Sequence, residues 1–259
     1  MRIGIIGGSG VDSMGGVDFE RQQIPTRYGP STVFVGLGQN ADLVFLPRHG
    51  PEHTVPPHRV NYRAQLKALQ SLAVERVMAT FAVGSLVDDI PPLALVALDQ
   101  FLDFTHSREG TFFDGGASGL VHTDVTEPYC RGLRQQLLAL APMHGLELRP
   151  SGVYVCTNGP RFETASEVRM YAQLGGEVVG MTGVPEATLA RELGLHYAAV
   201  AFSVNWAAGL KGPLEIKEAG VDEIRARLLP LFVETLRSAD VDGCQCLGAR
   251  HVIHEPRED

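Results

Sequence analysis

The chain has 259 residues, 44% hydrophobic and 20% charged, enough to bury one large core. A formal charge of -8 and a pI near 5.6 argue against nucleic acid or an anionic membrane as the main partner, because both call for a positive field. The opening "MRIGIIGGSG" has too short an apolar run for a signal segment and no stretch approaches membrane-spanning length, so a cytoplasmic protein is expected.

Short β-rich runs alternate with amphipathic stretches along the chain. Strand 2–6 runs into Gly7-Gly8-Ser9-Gly10. Strand 42–47 follows, then a helix over 60–73, and strands over 76–83 and 93–100. A helix over 127–141 precedes strand 152–156, helix 163–174, strand 177–181, helix 184–194 and strand 197–204. The last helix spans 218–237, with Pro230 expected to kink it. Continuous apolar runs suit strands buried on both faces. The class is therefore α/β, a mixed central sheet with helices on both faces, in one domain over 1–245. The tail 246–259 has no periodicity and is expected to be flexible.

Four stretches carry chemistry. The Gly-rich turn after the first strand offers backbone N–H groups and the Ser9 hydroxyl to an anion, or is simply a tight turn with Asp12 capping a helix. No G-x-G-x-x-G register fits, and no acid stands about 20 residues on at a strand end, which counts against a dinucleotide-binding oxidoreductase. Arg48 and His49 close a buried-looking strand and form either a phosphate clamp or a solvated strand end. In "CTNGPRFETASEV", Phe162 and Glu163 place an aromatic face beside a carboxylate, as a purine ring requires, or serve as a core residue and a helix-start acid. Met181 and Thr182 end a strand before a helix. Cys130, Cys156, Cys244 and Cys246 include one C-x-C and no spaced C-x-x-C pairs, so no metal site is expected. Plain thiols are the reading, with redox activity at Cys244 and Cys246 as the alternative.

Taken in order, "IGIIGGSGVD", "RHGPEHTVPPHRVNYRA", "AVGSL", "DQFLDFT", "FFDG", "GPRFET" and "GMTGVPEATLARELGL" resemble the purine nucleoside phosphorylase and methylthioadenosine phosphorylase family over roughly residues 1–237. The resemblance implies a homotrimer of single-domain subunits. Each would have a mixed, distorted barrel sheet ringed by helices and a site that borrows residues from its neighbour. It implies phosphate as co-substrate and neither metal nor organic cofactor. Carried over, Ser9, Arg48, His49, the Ala82 backbone and Thr182 would hold phosphate, with Phe81 standing where relatives place a Thr hydroxyl. Met181 would pack on the ribose, Phe162 would flank the base, and His122 would reach the sugar 5′ side from the adjacent subunit.

Asn205 decides the base in this reading. Methylthioadenosine phosphorylases of the family have T-D-x-D where this chain has Val204-Asn205-Trp206-Ala207. An amide is no useful proton donor to an adenine N7, but its NH₂ can meet O6 of a 6-oxopurine while its carbonyl accepts from a protonated N7. Glu163 accepts an N1–H that only the 6-oxopurine carries. Asn205 and Glu163 are thus the expected catalytic pair. Val221 and Ile224 match the positions covering the 5′ substituent, where an apolar lid favours a methylthio group by about 1–3 kcal/mol, or they are core positions of the last helix. The expected substrate is S-methyl-5′-thioinosine. Alternatives are inosine or guanosine, then S-methyl-5′-thioadenosine, and, in another class, a non-catalytic purine-binding protein.

Overall fold

The computed structural model describes residues 1–8, 16–217 and 219–256. In chain order its elements are β1 (Arg2–Gly7), β2 (Phe19–Ile24), β3 (Ser31–Gly36), β4 (Leu43–Pro47), α1 (Tyr62–Ser71), β5 (Val74–Ser85), β6 (Leu95–Ala97), β7 (Gln100–Asp103) and β8 (Leu120–Thr123). There follow α2 (Arg131–Leu140), β9 (Leu148–Arg149), β10 (Val153–Cys156), α3 (Ala165–Gln173), β11 (Val178–Gly180), α4 (Gly183–Glu192), β12 (His196–Trp206), α5 (Val221–Ser238) and β13 (Arg250–His254).

Period-2 alternation sorts the side chains of the central strands between two apolar layers. Ile3 and Ile5 of β1 and Met78 of β5 face Leu133 and Leu137 of α2 and Leu228, Phe232 and Leu236 of α5. Ile6, Val77 and Ala79 face the other way, toward Leu66 and Leu69 of α1 and Ala187 and Leu189 of α4. The expected helix–sheet–helix sandwich is what forms.

The sheet is mixed, as the family resemblance implied, and branched, and among the described residues it does not close into a barrel. Its path runs β2-β3-β4-β1-β5-β11-β10-β7, and β12 pairs with both β5 and β6. The cause lies in β5, which is long enough to serve three partners. One edge pairs in parallel with β12 from Arg76 to Ser85. The other edge pairs with β1 as far as Ala79, and is then taken up antiparallel by β11 at Gly84 and Ser85. Between those ladders the edge is vacated, and the strand there opens onto a cavity. Such breaks in strand order are where open α/β sheets place ligands.

Three local expectations change. The run 93–100 divides into β6 and β7. α5 passes through Pro230 as one helix, because Pro230 and Ala226, whose carbonyl the proline leaves unbonded, both lie on the exposed face. The tail expected to be flexible contains β13, which pairs antiparallel with β8, and Cys246 before it is buried. A strand exposed on both faces has no apolar alternation to betray it.

Candidate active site

The cavity at the vacated edge of β5 has a volume of about 560 Å³. Carboxyl ends of strands from both branches converge on it. β4 delivers Arg48 and His49, β5 delivers Phe81 to Gly84, and β11 delivers Met181 and Thr182. Phe162 and Glu163 come from the turn before α3, and Asn205 comes from β12.

Asn205 is not past the end of its strand. β12 continues to Trp206, with a bulge that sets Ser203 opposite Val83 and Asn205 opposite Gly84. The extra residue breaks the alternation, so Val204 and Asn205 both line the cavity. The Asn205 amide Nδ2 donates to the Trp206 carbonyl at 2.7 Å, which fixes the side chain and leaves Nδ2 its second proton to give. Trp206 thus orients its neighbour through its backbone, while Lys211 Nζ sits 4.2 Å from the centre of its ring.

Glu163 stands at the entrance of α3 but does not cap it. Thr164 is the cap: its Oγ1 accepts from the Glu167 N–H, and the Glu167 carboxylate accepts from the Thr164 N–H at 2.7 Å. Arg161 grips the same carboxylate and, with the Thr164 N–H, lowers its pKa to about 2. Glu167 therefore does the helix-start work, and Glu163 is free to turn inward. It is buried and accepts from Thr157 Oγ1 at 2.8 Å. Phe162, by contrast, is 47% exposed at the cavity mouth.

Arg48 is fully buried. Its Nε and Nη2 bind both oxygens of Glu186 at 2.5 and 2.9 Å, and Nη1 donates to the Thr80 carbonyl at 2.9 Å. Tyr197 donates to the same Glu186 at 2.7 Å. Burial disfavours the guanidinium charge, but the carboxylate more than offsets this and its pKa ends above the ordinary arginine value. Three of its five N–H groups are engaged, so two are left for an anion. Phe81 forms the floor, its ring centre 4.6 Å from the guanidinium carbon. It packs on the Arg48 guanidinium, at the position where the family resemblance puts a Thr hydroxyl in relatives. The His49 Nδ1 donates to the Val55 carbonyl at 2.8 Å, which places a proton on that nitrogen and orients the ring.

Gly8 is required by this packing. A Cβ there would lie 2.5 Å from Arg48 Nη1 and 2.8 Å from the Thr80 carbonyl oxygen. Because Glu186 holds the guanidinium in place, Gly8→Ala is expected to displace Arg48 and raise the KM for phosphate at least tenfold, with steady-state phosphate titration as the check.

Thr182 precedes α4, and its N–H, with that of Gly183, donates to the Tyr154 hydroxyl at 3.1 and 3.2 Å. Arg108, which the sequence reading did not single out, fastens the surrounding loops. It donates to the carbonyls of Met181, Asn158 and Val184 at 2.8, 2.9 and 2.6 Å. Thr157, Glu186, Lys217 and Asp222 were missed as well. Glu186 had a signal, an acid on the otherwise apolar helix "VPEATLA" in a chain with a buried-looking Arg.

Val221 lines the cavity, while Ile224 lies just behind it against Phe202 and Leu228. His122 is exposed on β8 and is not part of this chain's cavity wall. Ser9 lies outside the described residues.

The buried arginine and the paired Asn and Glu around one cavity have a counterpart among known proteins, since a model of the phosphorylase superfamily matches residues 2–234. The chain belongs to the phosphorylase superfamily. Within it, the relatives are purine nucleoside and methylthioadenosine phosphorylases, so this superfamily member is a pentosyltransferase. It is 50% identical over 220 residues to a protein of Moorella thermoacetica named "Probable 6-oxopurine nucleoside phosphorylase", covering 84% of this chain and 85% of that one. It is 45% identical over 253 residues to a protein of Methanothermobacter thermautotrophicus named "Probable S-methyl-5'-thioinosine phosphorylase", covering 94% and 87%. The fold matches methylthioadenosine phosphorylase from Schistosoma mansoni in complex with tubercidin with a TM-score of 0.84, at 34% identity and 92% of each chain. No helix among the described residues is long and apolar enough to cross a membrane.

Proposed function

We propose that this protein catalyses phosphorolysis of a 6-oxopurine nucleoside, with S-methyl-5′-thioinosine as its preferred substrate and hypoxanthine and S-methyl-5-thioribose 1-phosphate as products. The observation that carries the reading is that Asn205 and Glu163, both buried, line one cavity with the Arg48 clamp. The N-glycosidic bond breaks through an oxocarbenium-like sugar, as in glycoside hydrolysis, and an anion bound beside C1′ both stabilises that cation and captures it. Arg48, His49, Thr182, the Ala82 backbone and Ser9 hold phosphate. Met181 packs on the ribose and Phe162 on the base. The half-exposed Phe162 and the distant His122 are consistent with a homotrimer in which a neighbouring subunit completes each site and supplies His122 to the sugar.

Ile216, Phe202, Val204 and Val221 give the cavity the apolar surface that a methylthio group needs. Asp222, beside Val221 in the first turn of α5, favours a second reading, because a carboxylate is a partner for the 5′-OH of inosine or guanosine. The two differ in kinetics. S-methyl-5′-thioinosine is expected to exceed inosine in kcat/KM by about 10- to 200-fold, the value of a small apolar group in a matching pocket. Equal values would favour the second reading, and a maximum with S-methyl-5′-thioadenosine would overturn both. Asn205→Asp is expected to shift preference toward adenine substrates, since a protonated Asp can donate to N7. Unchanged selectivity in that variant would remove Asn205 from the base.

A further inference from the structure

Far from the cavity, the fold gathers three of the four cysteines and a histidine. The Sγ atoms of Cys130, Cys244 and Cys246 and a ring nitrogen of His196 all lie within 4.8 Å of one another. His196 Nδ1 is 3.1 Å from Cys244 Sγ and 3.7 Å from Cys130 Sγ. With Zn–S near 2.3 Å and Zn–N near 2.0 Å, tetrahedral ligand atoms stand about 3.5–3.8 Å apart, so these donors need only small adjustments to enclose one ion. We infer that Cys130, His196, Cys244 and Cys246 form a structural Cys₃His zinc site.

The chemistry of the group favours a soft divalent metal over a disulfide. A disulfide would use two sulfurs and leave the third, with the imidazole turned toward it, without a purpose. Cys130 is the N-cap residue of α2 and makes no side-chain capping bond, so the helix N-terminus stands ready to stabilise a thiolate there. Cys130 and Cys246 are 1% exposed and His196 9%, which makes the site closed, with four protein ligands and no position for substrate. Binding would release the three thiol protons and leave His196 neutral, with Nδ1 on the metal. No C-x-x-C knuckle is needed for such a site: one C-x-C loop supplies two ligands, and the starts of α2 and β12 supply the others.

The site pins the 244–246 loop to the start of β12, nine residues and roughly 30 Å along the strand from Asn205. What it secures is the segment leading into β13 and, through β13, the β8 strand that carries His122.

The test uses the full chain made in zinc-supplemented medium and purified under reducing, chelator-free conditions. Elemental analysis is expected to find one zinc per chain. Replacement by Co²⁺ is expected to give the thiolate charge-transfer and visible bands of a tetrahedral cobalt–thiolate centre. Cys244→Ser, at the most exposed of the four positions, should lose the zinc and weaken those bands. Chelation should raise hydrogen exchange in residues 239–256 and leave exchange around Asn205 unchanged. Three results would overturn the site: wild-type protein with no zinc and no cobalt bands, zinc retained by both Cys244→Ser and His196→Ala, or a disulfide among the three thiols in protein from a reducing cytosol.

Discussion

Asn205→Ala is expected to lower kcat for a 6-oxopurine nucleoside by about 10²- to 10³-fold, the cost of removing one preorganised donor aimed at transition-state charge. The bulge and the Trp206 carbonyl hold the amide before substrate arrives, so its second N–H needs no reorganisation when charge develops on the departing base. Glu163→Ala should behave differently. Its carboxylate is set by Thr157, and on the proposed reading it meets an N1–H that is present before and after the bond breaks, so its loss should appear mainly as a raised KM. Steady-state kinetics on both variants at saturating phosphate separates the roles. A kcat for Asn205→Ala near wild type would mean that the amide does not serve the leaving group.

The second large effect is on stability. Glu186→Leu is expected to destabilise the fold by about 3–5 kcal/mol, because it leaves the Arg48 guanidinium buried without its counter-charge. Both side chains are wholly inaccessible, so solvent cannot take over from the carboxylate. Tyr197 also loses its acceptor. The double variant Arg48→Met with Glu186→Leu should recover much of that loss while remaining inactive, since a buried pair replaced by apolar groups is often neutral. Urea denaturation of the three proteins checks this, and a double variant less stable than Glu186→Leu would refute it.

Much of this was legible because it is local. Continuous apolar runs marked the central strands, and the expected helices lie within a few residues of where they form. Arg48, His49, Phe162, Glu163, Met181, Thr182 and Asn205 all reach one cavity because each follows or ends a strand that the pattern revealed. The edge strands β2 and β13 escaped because exposed, polar strands carry little period-2 signal, while β3, paired on both sides and largely buried, was simply overlooked. Glu186, Thr157 and Arg108 escaped for another reason. Each acts through a partner many residues away, and a pairing such as Arg48 with Glu186 exists only once β4 and α4 are packed. The cysteine cluster is the same lesson in stronger form, with side chains that meet across 66 and 48 positions, from His196 to Cys130 and Cys244.

The vacated stretch of β5 also acts as a ruler. Thr80, whose carbonyl holds the anion clamp, and Gly84, which stands opposite Asn205, are fixed on one strand four residues apart, about 13 Å at strand rise. On the proposed reading, attacking anion and departing base are spaced by covalent chain, not by the packing of separate lobes. Drift of one half of the cavity against the other would have to stretch a backbone that cannot stretch. A one-residue insertion between these two positions would lengthen the gauge by about 3.3 Å and turn the following side chains to the opposite face.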